Sequence, residues 1–171
     1  MKINNYLLNE ILHLNDVTLI DCILYVFNDF QRTADNQIFN STFFLKTVAK
    51  ATTNSAYIND KFQSGLRDFM NTLKISGTET MFNLKPKYID LFSESNIRKG
   101  YTDIDVSIVY NLHSLHSKKM YMYLEIKKFQ LKSGQFIDIF ISDFKNNLNI
   151  VGYDNSGHFI QLVDRFFSDI K

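Results

Sequence analysis

Two stretches of the chain contain similar elements in the same order. Residues 29–73 read DFQRTADNQIFNSTFFLKTVAKATTNSAYINDKFQSGLRDFMNTL, and residues 128–170 read KFQLKSGQFIDIFISDFKNNLNIVGYDNSGHFIQLVDRFFSDI. Each begins near a Phe-Gln pair, crosses a polar turn into a short strand-like piece (37–40 and 136–140), and continues through a short amphipathic segment and a tyrosine into a longer helical pattern. We therefore predict a tandem repeat, because self-similarity at a fixed offset indicates repeated structural units.

The last helix of each stretch carries the closest match. Apolar positions related by an offset of 97 residues have the same helical spacing, namely Phe62, Leu66, Met70 and Leu73 in the first and Phe159, Val163, Phe167 and Ile170 in the second. The sequence predicts that the first of these helices begins at Asn54 or Ser55 and ends near Leu73. The second is predicted over residues 157–170, with Phe159, Leu162, Val163, Phe166, Phe167 and Ile170 on its inner face.

Periodicity also predicts the remaining elements. Helical spacing covers residues 17–30 after Asn15 or Asp16 as N-cap, 41–50 after Ser41 or Thr42, 88–92, 108–129, and 142–148 capped by Ser142. Alternation over 78–84 predicts a strand, and 93–101 is a polar linker. Helix, strand, helix, helix and hairpin is the winged helix-turn-helix plan. We therefore predict a mostly helical α+β chain with two such domains in tandem, over residues 1–97 and 98–171.

Composition excludes several classes of protein. The chain has 171 residues, of which 45% are hydrophobic, with six glycines and one proline, so it is predicted to be globular rather than disordered or collagen-like. A single cysteine, Cys22, excludes a disulfide framework and a zinc module of the Cys/His type. Neither a membrane span nor the apolar core of a signal peptide is apparent, which predicts a soluble, cytoplasmic protein.

The positive charge is concentrated in the middle of the chain. The whole chain has 19 basic and 18 acidic residues, but residues 85–132 have nine basic and five acidic ones. This segment includes Lys118, Lys119, Lys127, Lys128 and Lys132. Such a cluster is either a solvated helix face or a surface that contacts DNA phosphates with a salt-dependent affinity.

The join between the two units resembles a known family. Two stretches are similar to plasmid replication initiators of the iteron-binding Rep type. The end of the family's first domain resembles Met81-Phe82-Asn83-Leu84-Lys85-Pro86-Lys87-Tyr88-Ile89. The start of its second domain resembles Leu112-His113-Ser114-Leu115-His116-Ser117-Lys118-Lys119-Met120-Tyr121. Residues 136–150 and 153–170 resemble the strand and two helices that follow. The likeness extends from about Val17. Lys119, Met120 and Asp169 replace the family's Arg, Leu and Glu, and the sequence stops at Lys171, before a second wing.

The resemblance implies a function without catalysis. Members of this family bind repeated duplex sites at a replication origin, distort the DNA and recruit host replication proteins. It also implies a homodimer that represses its own promoter, a monomer that initiates replication, and a bacterial protein encoded on a plasmid or mobile element. No cofactor or metal is expected. A protein-interaction module that has lost DNA binding, and a transcriptional regulator of the same fold, remain alternatives because the charge is near neutral and the last helix carries Asp164 and Asp169.

The predicted DNA contacts fall on the two matching helices and on the lysine-rich segment. The outer face of the last helix offers Gln161 and Arg165, residue types that make bidentate base contacts. The predicted DNA-binding residues are Lys61, Gln63, Arg67, Lys118, Lys119, Lys127, Lys128, His158, Gln161 and Arg165. Each has the alternative role of a solvated or ion-paired surface residue.

Patterns for enzymatic chemistry are weak. His113 and His116 could share one helix face, but no Cys or carboxylate stands at a complementary metal-ligand spacing. Asp103 and Asp105 have no basic partner at a fixed offset and fit a polar linker better. Cys22 lies in an apolar helical pattern and is expected to be an inert core thiol.

Overall fold

The computed structural model describes residues 1–33, 37–40, 65–76, 79–91, 100–128, 138–151 and 156–170. Its elements are β1 (Lys2–Asn4), α1 (Asn5–Leu12), α2 (Val17–Thr33), β2 (Gln37–Asn40), β3 (Met70–Ser76), β4 (Glu79–Leu84), α3 (Pro86–Leu91), β5 (Tyr101–Asp103), α4 (Val106–Asn111), α5 (Leu115–Lys128), α6 (Ile141–Leu148) and α7 (Ser156–Asp169). This is a mostly helical α+β chain with two small antiparallel sheets.

The chain divides into two compact units, and the division differs from the predicted one in its treatment of the N-terminus. One unit consists of Met1 and Asp16–Lys99, and the other of Lys2–Asn15 and Gly100–Lys171. The predicted boundary assigned residues 2–15 to the first domain, whereas here they fold with the C-terminal part. We refer to these as the first and second units.

Residues 2–15 join the second unit through a strand and a helix that the sequence analysis missed. β1 pairs antiparallel with β5, with Ile3 opposite Thr102. The side chain of Asn4 caps α1 by accepting a hydrogen bond from the amide of Tyr6 at 2.9 Å. Five apolar residues of this segment are fully buried, namely Ile3, Leu7, Leu8, Ile11 and Leu12. Their burial explains why a short N-terminal segment belongs to the distant half of the chain.

In the first unit, α2 forms as predicted. The carboxylate of Asp16 accepts a hydrogen bond from the amide of Leu19 at 3.0 Å, which is N-cap geometry. The predicted inner positions Ile20, Ile23, Leu24 and Phe27 are at most 1% exposed. Cys22 is equally buried, as expected for a core thiol.

A three-stranded antiparallel sheet with the order β2–β4–β3 follows in the first unit. Its strand β4 confirms the strand predicted over 78–84. The helix predicted to continue to Leu73 is wrong at its end, because Met70 pairs with Leu84 and Leu73 with Phe82 in the β3–β4 ladder. The helix ends at Leu66, and the carbonyl of Leu66 accepts a hydrogen bond from the amide of Phe69 at 2.9 Å in the turn that follows. Met70 and Leu73 therefore do not correspond in structure to Phe167 and Ile170, and half of the repeat alignment fails.

An aromatic cluster links the elements of the first unit. Phe27 of α2 and Phe69 pack edge to face with ring centroids 6.0 Å apart, and Tyr88 of α3 lies 5.1 Å from Phe69. α3 begins at Pro86, a favourable residue for the first position of a helix. It corresponds to the helix predicted over 88–92.

In the second unit, the single helix predicted over 108–129 is two helices, α4 and α5. Asp105 caps α4 by accepting a hydrogen bond from the amide of Ser107 at 2.9 Å. The chain then leaves helical geometry at Leu112, where ψ is 124°. Ser114 restarts the helix, since its Oγ accepts the amide of Ser117 at 2.9 Å. Apolar periodicity continues through this break, which is why the sequence pattern did not indicate it.

α6 ends in a tight turn, and both α6 and α7 occur where they were predicted. Asn149 ends α6 in the left-handed conformation, with φ 49° and ψ 49°, and the amide of Ile150 donates to the carbonyl of Lys145 at 3.0 Å. The N-cap of α6 is Phe140 rather than the predicted Ser142, which is already helical. The strand predicted over 136–140 is not formed at residues 138–140, and residues 136 and 137 lie outside the described part.

Candidate nucleic-acid interface

α7 presents a polar face beside a partly buried apolar face. Leu162 and Phe166 are 6% and 2% exposed and pack in the second unit, as predicted. The side chains predicted to face outward are all exposed: His158, Gln161, Asp164, Arg165, Ser168 and Asp169. Phe167 and Ile170 depart from the prediction, because they are 51% and 45% exposed rather than in the core. The C-terminal turn of α7 therefore has an apolar surface.

The core beneath α7 is aromatic. Tyr123 of α5 and Phe144 of α6 pack edge to face with centroids 5.2 Å apart, and Phe159 of α7 packs on Phe144 at 5.5 Å in the same manner. This chain of rings connects the three helices α5, α6 and α7. It holds α7 so that the polar face described above points away from the core.

The first turn of α5 meets α7 in a polar cleft. The cleft has a volume of about 160 Å³ and is lined by Ser114, His116, His158, Gln161, Leu162 and Arg165. It brings together the three residues that the sequence predicted on the last helix and adds His116 and Ser114 from α5. Next to it, Ser117 donates a hydrogen bond from its Oγ to the carboxylate of Asp169 at 2.6 Å and so ties the two helices together.

Two predicted DNA contacts are corrected. Lys118 and Lys119 are each 1% exposed. The ammonium of Lys118 donates to the carbonyl of Val109 near the end of α4, and that of Lys119 donates to the carbonyl of Leu148 at 2.8 Å and to the side chain of Asn15 at 3.1 Å. Because both ammonium groups lie inside the second unit on protein oxygens, they are not available to DNA phosphates.

The last turn of α5 retains two accessible lysines. The ammonium of Lys128 lies 3.3 Å from the carboxylate of Glu125 in an exposed ion pair. Lys127 lies over the ring of Tyr123, with 5.4 Å between its ammonium and the ring centroid. An exposed ion pair contributes little to stability, so Lys128 can exchange Glu125 for another anion at low cost.

In the first unit only one predicted residue can be placed. Arg67 is exposed in the turn before β3, not on a helix. Lys61 and Gln63, and the helix predicted over 41–50, lie outside the described residues, as does Lys132. Arg67 is therefore not positioned by the structure as a recognition-helix residue.

Burial and neighbouring charges alter the pKa values of four groups on α5, of which only His116 lines the cleft. Burial lowers the pKa of Lys119 from 10.5 to about 8. Burial also lowers the pKa of His116, and the positive charges of Lys119 and Arg165 lower it further. Burial raises the pKa of Tyr121 and of Tyr123, because the charged form of tyrosine is the deprotonated one. The electrostatic environment of His116 is thus positive.

The candidate chemical groups considered in the sequence have structural roles or stay dispersed. Hydrogen bonds from the hydroxyl and the amide of Ser107 lower the pKa of Asp105, which acts as a helix cap. His113 is exposed while His116 is half-buried in the cleft. Among the described residues there is no group of three or more His, Cys, Asp or Glu side chains arranged to hold a metal ion.

A second concave surface in the second unit is apolar. It has a volume of about 190 Å³ and is lined by Met120, Leu124, Ile139, Ile141, Phe144, Phe159, Val163 and Phe167. Leu124, Ile141 and Phe167 are 36%, 47% and 51% exposed, respectively. We call this surface the apolar groove. Exposed apolar patches on folded proteins are common at protein-binding surfaces.

Comparison with protein-family models, with curated proteins and with solved structures found no match. In the described part of the chain, no helix combines the length and the apolar character that crossing a membrane requires.

Sequence reasoning identified three members of the polar cleft and missed the other polar ones. His158, Gln161 and Arg165 follow from the outer face of one amphipathic helix. Ser114 and His116 were assigned to the interior of a long helix and to a weak metal pair. The signal that could have found them is the N-cap residue Ser114, which marks the start of a helix at the cleft.

Proposed function

We propose that this chain is a DNA-binding protein built from winged-helix-like units, and that it binds repeated duplex sites at a plasmid replication origin and promotes initiation there. The observation that carries the proposal is the order of α6, which ends at the left-handed Asn149, and α7, which follows it in the chain with His158, Gln161 and Arg165 exposed. In a helix-turn-helix protein, the second helix lies in the major groove and its exposed polar side chains contact the DNA.

The first unit supports the winged-helix part of the proposal. A helix (α2) precedes β2, and the hairpin β3–β4 returns to β2 in the order β2–β4–β3. In this proposal the hairpin is the wing, and β2 is the strand that follows the first helix of the winged-helix plan.

A salt series tests DNA binding directly. The affinity of the full chain for mixed-sequence duplex DNA would be measured by fluorescence anisotropy at increasing salt concentration. The slope of log K against log salt is about −0.9 for each phosphate neutralised, and we expect a clearly negative slope. With Lys118 and Lys119 buried, the expected slope corresponds to only a few phosphates.

Charge-matched variants assign the binding to α7. Arg165→Ala should weaken binding, while Lys87→Ala, which removes an exposed cation from α3 of the first unit, should leave it nearly unchanged. Equal effects of the two variants would indicate non-specific attraction. Selection of preferred duplexes from a random pool then separates two roles. An array of direct repeats supports an initiator, and a single palindrome supports a transcriptional regulator.

The apolar groove favours a second candidate function, a protein-interaction module. Phe167 and Ile141 expose apolar surface, and Asp164 and Asp169 on α7 would repel phosphates. A salt slope near zero together with self-association in light scattering would favour this function. The family resemblance also implies a homodimer and contacts with host replication proteins, and these partners belong to the proposed role in replication initiation.

A further inference from the structure

The polar cleft collects hydrogen-bond donors from two helices around a space sized for a small group. His158, Gln161 and Arg165 follow one another at about one-turn intervals on α7, so their side chains share a face. His116 contributes an imidazole from α5. A volume of about 160 Å³ holds several water molecules and therefore also a single tetrahedral oxyanion.

The two charges that lower the pKa of His116 favour an anion over a cation at this side of the cleft. Lys119 on α5 and Arg165 on α7 are the charged groups that act on His116, and both are positive. Arg165 makes no ion pair within the described part of the chain, and its guanidinium is a planar fork that matches the oxygens of a phosphate. The nearby carboxylate of Asp169 accepts the hydroxyl of Ser117, so a hydrogen bond within the protein already occupies one of its oxygens.

We propose that this cleft binds one phosphate group of the DNA backbone, with Arg165 and Gln161 donating to its oxygens and His116 and His158 completing the site. The inference rests on the proposed function and makes it more specific. It assigns Arg165 to a phosphate instead of a base, and it adds to the interface His116, which the DNA-binding prediction did not contain. Phosphate contacts fix the position of a protein on the duplex without reading its sequence.

Binding measurements on matched duplexes distinguish a phosphate contact from a base contact. Arg165→Ala should weaken binding by the same factor on a preferred duplex and on each of its single-base variants, and the salt slope should become shallower by about 0.9. Gln161→Ala should also weaken all duplexes alike. Loss of discrimination at one base pair, with the salt slope unchanged, would overturn the proposal. Lys87→Ala serves as the control for loss of a charge that does not line the cleft.

Inorganic phosphate tests the same cleft without DNA. Ring signals of His116 would be followed by NMR while phosphate replaces chloride at constant ionic strength. We expect a saturable shift and a higher pKa of His116, because a bound anion offsets the charges of Lys119 and Arg165. The other titratable neighbours are His158 and Asp169, and their signals are recorded in parallel. The Arg165→Ala variant should lose the response.

The two arms separate the inference from the proposed function. DNA binding that keeps its salt slope in Arg165→Ala, with no phosphate response at His116, overturns the cleft site and leaves DNA binding intact. A phosphate response in a protein that does not bind DNA overturns the backbone assignment and indicates a site for free phosphate. Circular dichroism of each variant checks that the fold is kept, and Gln161→Ala provides the result if Arg165→Ala does not fold.

Discussion

The ammonium of Lys119 donates a hydrogen bond to the carbonyl oxygen of Leu148 at 2.8 Å, so a lysine of α5 completes the C-terminal end of α6. The last carbonyls of a helix have no partner within the helix, and a cation is favourable beside them. Lys118, the preceding residue, donates to Val109 near the end of α4 in the same manner. Two lysines that charge counting would place on a DNA-binding surface thus hold helix ends inside the second unit.

Replacing Lys119 with methionine should destabilise the protein. Lys119→Met keeps the aliphatic length of the side chain but leaves the buried carbonyl of Leu148 without this donor, which costs about 1–3 kcal/mol of unfolding free energy. The measurement is urea denaturation followed by circular dichroism. Lys128→Met on the same helix removes an exposed lysine and should change the free energy by less than about 0.5 kcal/mol. Equal losses in the two variants would contradict the helix-capping role.

The stability contributed at Lys119 should rise with pH. Its pKa in the folded protein is about 8, compared with 10.5 for an unperturbed lysine, because burial disfavours the charged form. Between these two values the unfolded chain binds more protons than the folded chain, and stability therefore increases as pH increases through this window. The unfolding free energy of the wild type minus that of Lys119→Met should grow between about pH 8 and pH 9.5. A difference that falls over this range would be inconsistent with a depressed pKa.

Periodicity predicted the helices whose apolar face is continuous, and it failed where polar or backbone interactions decide the structure. α2, α6 and α7 have clear stripes, and the structure places them as predicted. The break at Leu112 and Ser114 depends on capping, which a continuing apolar pattern conceals. The stretch from Met70 to Leu73 fits helical spacing but is held in a strand by pairing with β4, a partner that spacing alone does not reveal.

The candidate site was predictable to the extent that it lies on one helix. The outer face of α7 could be read from sequence because exposed polar residues alternate with a buried stripe. The contribution of His116 depends on how α5 packs against α7, and a local pattern contains no information about that packing. The prediction for Lys118 and Lys119 failed because a charged side chain is expected to be exposed, whereas these two ammonium groups donate to carbonyl oxygens in the interior.

Ser117 should matter more to stability than its size suggests. Its Oγ donates to Asp169 at 2.6 Å and accepts from the hydroxyl of Ser114 at 2.7 Å, at a position that is 2% exposed. Ser117→Ala should lower the unfolding free energy by about 1–2 kcal/mol, because a hydrogen bond to a charged acceptor is lost. Ser168→Ala is the matched control on α7, since Ser168 is exposed and bonds only the carbonyl of Asp164 in its own helix. A ranking with Ser168→Ala as the more damaging change would contradict the proposed link between α5 and α7.

Asn149 should stabilise the second unit through the left-handed backbone conformation with which it ends α6. Its backbone is left-handed, with φ 49°. This conformation costs most residues with a Cβ about 1 kcal/mol, and asparagine and glycine adopt it most readily. Asn149→Ala should lower the unfolding free energy by about 1 kcal/mol, whereas Asn149→Gly should lose less, because glycine adopts this conformation without strain. The side-chain contacts of Asn149 with His13 and Asn15, at 3.4 and 3.5 Å, are long and are lost equally in both variants. Thermal denaturation of the pair therefore isolates the backbone contribution. A glycine variant as unstable as the alanine variant would show that the side-chain contacts with His13 and Asn15, and not the left-handed conformation, account for the lost stability.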